Sequence, residues 1–214
     1  MKKILFWLML ILSVVTTATF VISCGAPKKE TQTDPATTDA GVIINGVKWA
    51  TRNVDAAGTF AATPESAGKF YQWNRKKAWA AEGETIENWD STDVAGTEWT
   101  AANDPSPAGW RVPTTEELKT LFDTEKVTNE WTTQNGVGGR LFTDKTTNNS
   151  LFLPAAGGRG NSDGTLFYAG SSGYYWSSTQ YGSNNAYALF FFSGGAGWSY
   201  CSRSYGFSVR AVAE

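Results

Sequence analysis

Apolar and polar positions divide the chain into three stretches of different texture. Behind Lys2 and Lys3, Ile4 to Val15 is an almost unbroken apolar run. That is the layout of a secretory leader, too short and too unevenly flanked for a stable membrane span. Gly25 to Ala40 then holds no aromatic and no large aliphatic residue. Such a stretch has nothing to bury and reads as a disordered tether. From Gly41 onward apolar positions recur with turn residues between them. Two apolar runs flank Asn45-Gly46 and predict a hairpin over 42–50. After Pro113, Thr114 and Glu117 form a capping box, and Leu118, Leu121 and Phe122 make one apolar face. A helix ending at Asp123 or Thr124 follows. Residues 63–73 leave helix and strand both open, because Gly68 interrupts any helix that Thr63-Pro64 begins. Ala78 to Ala102 has no clean period and reads as a long ordered loop pinned by tryptophans. Beyond it Leu151–Pro154, Tyr174–Ser177, Tyr187–Phe192 and Gly206–Val212 read as strands between Gly, Asn and Ser turns. The expected fold class is α+β, with a strand- and loop-rich C-terminal half.

Composition narrows the chemistry. The 214 residues carry a formal charge of −2, which gives no reason to expect nucleic acid as a partner. There is no histidine, so Ser-His and Cys-His nucleophile pairs and imidazole zinc sites are excluded. Ten tryptophans, 8 tyrosines and 12 phenylalanines favour a binding surface over an enzyme. No metal site or cofactor is expected: Asn161-Ser162-Asp163-Gly164 reads as a turn rather than half a calcium loop, for want of a second acidic cluster. The Gly136–Arg140 stretch lacks the Lys and Ser/Thr of a phosphate loop. Val21-Ile22-Ser23-Cys24 resembles a bacterial lipobox. It implies lipid on Cys24, membrane attachment through it, and, with Gly25 next, an outer-membrane address. The expected organisation is a leader over 1–24, a tether over 25–40 and a folded head over 41–214.

Four ordered motifs carry a family resemblance: Asn103 to Thr114 ahead of the capped helix, Leu151 to Gly157, Gly173 to Thr179, and Gly206 to Val212. The series resembles the Fibrobacter succinogenes major paralogous domain, common in lipoproteins of Bacteroidetes. The resemblance implies a C-type lectin-like fold, related to that of formylglycine-generating enzymes. Ser106 stands where many relatives carry Cys, so any disulfide they form there is absent. Trp110, Arg111, Trp176 and Arg210 are expected to be core scaffold. Formylglycine-type chemistry uses two active-site cysteines, and with Cys24 lipidated only Cys201 remains, so the chain is read as no enzyme.

Residues 181–205 contain no Lys, Glu, Gln, Asp or Met, and all but Trp198 are encodable by codons ending in C. That pattern is similar to the variable region of proteins diversified by retroelements. Alternation along 187–192 puts Leu189 and Phe191 in the core and Ala188, Phe190 and Phe192 on a solvent face. Trp198, Tyr200, Ser202, Ser204 and Tyr205 are expected to join that face, forming a site for a protein or glycan. The rival expectation is a structural envelope or fimbria-associated subunit.

Overall fold

The computed structural model describes residues 36–214. Cys24, the leader and most of the expected tether lie outside the described residues. The head begins earlier than its expected boundary at Gly41. Asp39 accepts hydrogen bonds from the N–H groups of Gly41 (2.8 Å) and Thr51 (3.0 Å) and pairs with Arg52 Nε at 3.1 Å. A carboxylate whose side chain is 1% exposed belongs to the folded unit.

Hairpin β1–β2 (Val42–Ile44, Val47–Trp49) turns on Asn45-Gly46, both with positive φ. β3 (Phe70–Tyr71) pairs with β4 (Ala78–Trp79), so the open segment over 63–73 holds no helix, but a turn at its start and then this two-residue strand. After a loop and one 3-10 turn come β5 (Trp110–Arg111) and helix α1 (Thr115–Thr120). The expected capping box is present, with Thr114 bonded to Glu117 in both directions. However, the helix is capped at Leu121, short of Asp123. Next come β6 (Val127–Gln134), β7 (Val137–Asp144) and β8 (Ser150–Pro154), a three-stranded meander. The short pair β9–β10 (Gly158–Arg159, Leu166–Phe167) precedes β11 (Ser172–Tyr181), β12 (Asn185–Phe192) and β13 (Gly195–Ser202). Finally β14 (Val212–Ala213) inserts between β2 and β5.

Fourteen strands and one six-residue α-helix among the described residues correct the α+β expectation: the head is mostly β, in several small antiparallel sheets. The expected strand over 206–212 is also corrected. Only its end forms a strand, while Gly206, Phe207 and Ser208 make single bridges to Arg159, Tyr71 and Tyr175. Each residue there pairs with a different neighbour, so no ladder can run.

Side chains from these sheets, the helix and the connecting segments fill two main cores. One gathers Trp49, Leu118, Phe142, Leu189 and Phe191; the other gathers Trp73, Trp99, Trp176 and Phe207. Trp176 is fully buried as expected, whereas Trp110 is only half-buried, edge-on to Phe60 at 5.6 Å. The long loop after β4 is held partly by its tryptophans: Trp89 and Trp99 donate to the carbonyls of Asn161 and Asn103. Arginines hold it too. Arg159 donates to the carbonyls of Ala80, Glu82 and Gly83, and Arg203 to those of Val94 and Gly96.

Candidate functional site

The C-terminal sheet has the order β11-β12-β13. Ser193-Gly194 makes a two-residue connection that sets Phe192 opposite Gly195, and therefore Leu189 opposite Trp198 and Tyr187 opposite Tyr200. Residues directly opposite share a face. One face thus carries Tyr175, Leu189 and Phe191, all at most 1% exposed. Phe191 lies over Gly173, its cross-strand partner; a Cβ on Gly173 would come within 2.2 Å of the ring.

Where this face runs past the edge of the core, it becomes a shelf of rings. Tyr181 stacks on Tyr200 at 4.1 Å between centroids and meets Tyr187 edge-on at 5.2 Å. Trp198 meets Phe122 of the α1 end at 5.6 Å, and Lys119 Nζ sits 5.8 Å from the Trp198 ring. Tyr181, Trp198 and Tyr200 are 40–54% exposed although each touches another ring. A stack of this kind is held rigid before any partner arrives, which lowers the ordering cost of binding.

The opposite face carries Tyr174, Trp176, Ala188 and Phe190, with Ser199 and Cys201 from β13. A small apolar pocket of about 160 Å³ opens between Tyr174, Ala188, Phe190, Ser199 and Cys201. Burial pushes the Cys201 thiol up to about 11.

The eight expected site residues therefore do not form one surface. Leu189 and Phe191 are buried as read, and Phe192 is exposed with Phe190 half-buried. Ala188 is corrected: at 1% exposure it lies in the second core, because this sheet is covered on both faces at its centre. Trp198 and Tyr200 are exposed, but on the face opposite Phe190 and Phe192. Ser204 is buried at 2%, its N–H bonded to Asp93 at 3.1 Å, so it is structural. Ser202 Oγ donates to Asp93 at 2.9 Å. Tyr205 is half-buried and stacks on Phe207 at 5.5 Å.

Sequence reading missed Tyr181, Tyr187, Phe122 and Lys119. The signal for Tyr187 was available: a two-residue Ser-Gly turn fixes the parity that puts it beside Tyr200. Phe122 and Lys119 carry no such signal, since only tertiary packing brings α1 to β13.

Elsewhere, Asn161–Gly164 is a turn in which Asp163 Oδ1 accepts the Thr165 N–H at 2.9 Å. No group of three or more metal-ligating side chains occurs among the described residues. A cleft of about 540 Å³ borders Trp99, Asp104, Trp110 and Arg111. The Arg111 guanidinium there is engaged in a two-pronged pair with Glu117, at 2.6 and 2.8 Å.

Among known families, the one described as the Fibrobacter succinogenes major domain matches residues 31–213. No curated protein and no solved structure matches the chain.

Proposed function

The chain belongs to the Fibrobacter succinogenes major domain family, and from that premise we propose that it is a surface-displayed binding protein without catalytic activity. Lipid on Cys24 would hold it to the outer membrane, and the head would present its C-terminal aromatic shelf to a protein or glycan. The shelf of Tyr181, Tyr187, Trp198 and Tyr200 carries the reading. Rings bury a large area at small conformational cost, and a pre-stacked cluster suits either a sugar face or a protein hot spot. Residues 181–205, which supply all four of these rings, are the stretch whose composition fits retroelement diversification. An adenine-rich near-copy of their codons beside a reverse transcriptase gene is the observation expected on that reading.

A formylglycine-type enzyme has less support. A nucleophilic thiol needs its pKa lowered, and burial moves Cys201 the other way, to about 11. The rival structural reading draws on one observation, the unpaired outer side of β13.

Binding is tested on glycan and extracellular-protein arrays with the full chain and the double variant Tyr181→Ser/Tyr200→Ser. The expected result is array binding by the parent that falls at least tenfold in the variant, with an unchanged thermal midpoint. Binding retained by the variant would remove the shelf as the site. Cys24→Ser should release the chain from membranes in fractionation; retention would remove the lipid anchor.

A further inference from the structure

The two outer strands of the C-terminal sheet are treated differently. β11 is closed by the segment behind it: the Trp176 N–H donates to the Ser208 carbonyl and the Ser208 N–H to the Tyr174 carbonyl, both at 3.0 Å. Those bonds fix the parity of the whole sheet. Tyr174 and Trp176 turn their backbone groups away from β12, so Leu189 faces β11 and Ala188 and Phe190 face β13. The Arg203 N–H donating to the Asn184 carbonyl at 3.0 Å gives the same parity at the far end of β13. Ala196, Trp198 and Tyr200 therefore aim their N–H and C=O groups out of the sheet. Among the described residues, no hydrogen bond from another element reaches these six groups.

An open edge is ordinarily guarded by charge. β6, the other eight-residue edge strand, carries Glu130 among Thr, Asn and Gln. From Ser193 through Ser202 there is no charged residue.

This edge is also complementary to itself. Set two copies antiparallel about a two-fold axis at Trp198. Ala196 then lies opposite Tyr200 of the second copy, Gly197 opposite Ser199 and Gly195 opposite Cys201. Each large side chain meets a small one, Trp198 meets its own counterpart, and no like charges are opposed. The three outward residues of each copy become the hydrogen-bonded pairs of the new ladder, so all six open groups find partners.

We propose that β13 is a self-association edge, through which two copies join their C-terminal sheets into one six-stranded sheet. Directly paired strands keep their faces aligned, so the two aromatic shelves would merge across the axis. The dimer rests on backbone and small residues and stands or falls apart from the ligand-binding reading.

Sedimentation velocity of the full chain in density-matched detergent tests it. The expected result is a concentration-dependent monomer–dimer equilibrium. Ala196→Pro removes one outward N–H and no bond to β12, and should weaken the dimer at least tenfold while leaving every ring of the shelf in place. Should that variant fold poorly, Trp198→Lys sets two like charges on the axis and should also give monomer. In a Cys24→Ser/Cys201→Ser background, the pair Ala196→Cys/Tyr200→Cys should cross-link between copies under copper phenanthroline. A monomer at every concentration would overturn the proposal, as would a dimer indifferent to both substitutions or one linked through Cys201. So would a monomer whose residue 196, 198 and 200 amides become protected only when another protein is added, which would assign the edge to a foreign strand.

Discussion

Arg159, Arg203 and Arg210 are fully buried, yet their hydrogen bonds go to carbonyl and side-chain amide oxygens rather than to carboxylates. A guanidinium offers five donors in a fixed fork, so one side chain can satisfy several loop carbonyls that no strand reaches. Arg203 also lies over Trp73, 4.2 Å from the ring centroid. Arg203→Met should therefore cost at least about 3 kcal/mol in denaturant unfolding, because several buried carbonyls lose their donor together. If residues 181–205 are diversified, position 203 must be spared. Asp39 supports a pH prediction. Burial by itself would raise its carboxyl, but the Thr51 and Gly41 N–H groups, the Thr51 hydroxyl and Arg52 outweigh it and hold it below the ordinary 3.8. A depressed carboxylate adds stability that is complete above the unfolded value and lost as pH falls through the folded one. Asp39→Asn should flatten the loss of stability below about pH 4 and cost about 1–3 kcal/mol at neutral pH. Alternation within 187–192 was enough to bury Leu189 and Phe191. It misplaced Ala188, since strict alternation assumes one wet face and this sheet has none at its centre.

Elements with a local signal were legible. Asn45-Gly46 and the Thr114–Glu117 box were read correctly because turn and cap chemistry act over four residues or fewer. Thr114→Ala should cost about 1 kcal/mol, read from the denaturant midpoint. The β6–β7 hairpin went unread although Asn135-Gly136 is the same turn signal. Both residues have positive φ, 48° and 84°. Its flanking strands hide the pattern, since Gly138, Gly139 and a run of Thr replace the usual apolar alternation. Gly136→Ala would place a side chain in the left-handed region and should cost roughly 1–2 kcal/mol. The two-residue strands β3, β4, β5, β9, β10 and β14 have no readable period, being defined only by what lies beside them.

For the whole molecule, the capped helix suggested α+β, but it remains one short segment against many strands distributed over small sheets. Family membership was legible from four spaced motifs; the arrangement of those motifs in space was not, because their contacts span most of the chain. Trp176, at the centre of the second core, donates its ring N–H to the Tyr71 carbonyl at 2.7 Å. Trp176→Ala should cost about 3–5 kcal/mol in thermal or denaturant melts. Trp110→Ala should cost less, since that ring is partly wet. The single bridges of residues 206–208, followed by β14 between β2 and β5, have a further consequence for timing. They tie the last stretch of chain to the hairpin at 42–49, to β3, to β5, to β9 and to β11, like a drawstring threaded through five hems. Contacts this distant in sequence form slowly. Val212 belongs to one core and Phe207, Val209 and Ala211 to the other, so neither core is complete until residues 207–212 have docked, and the rest of the head cannot reach its final packing ahead of them. Nor can a fragment lacking 206–214 settle into a smaller version of the fold: pulled from that end, the molecule should unravel from both cores at once.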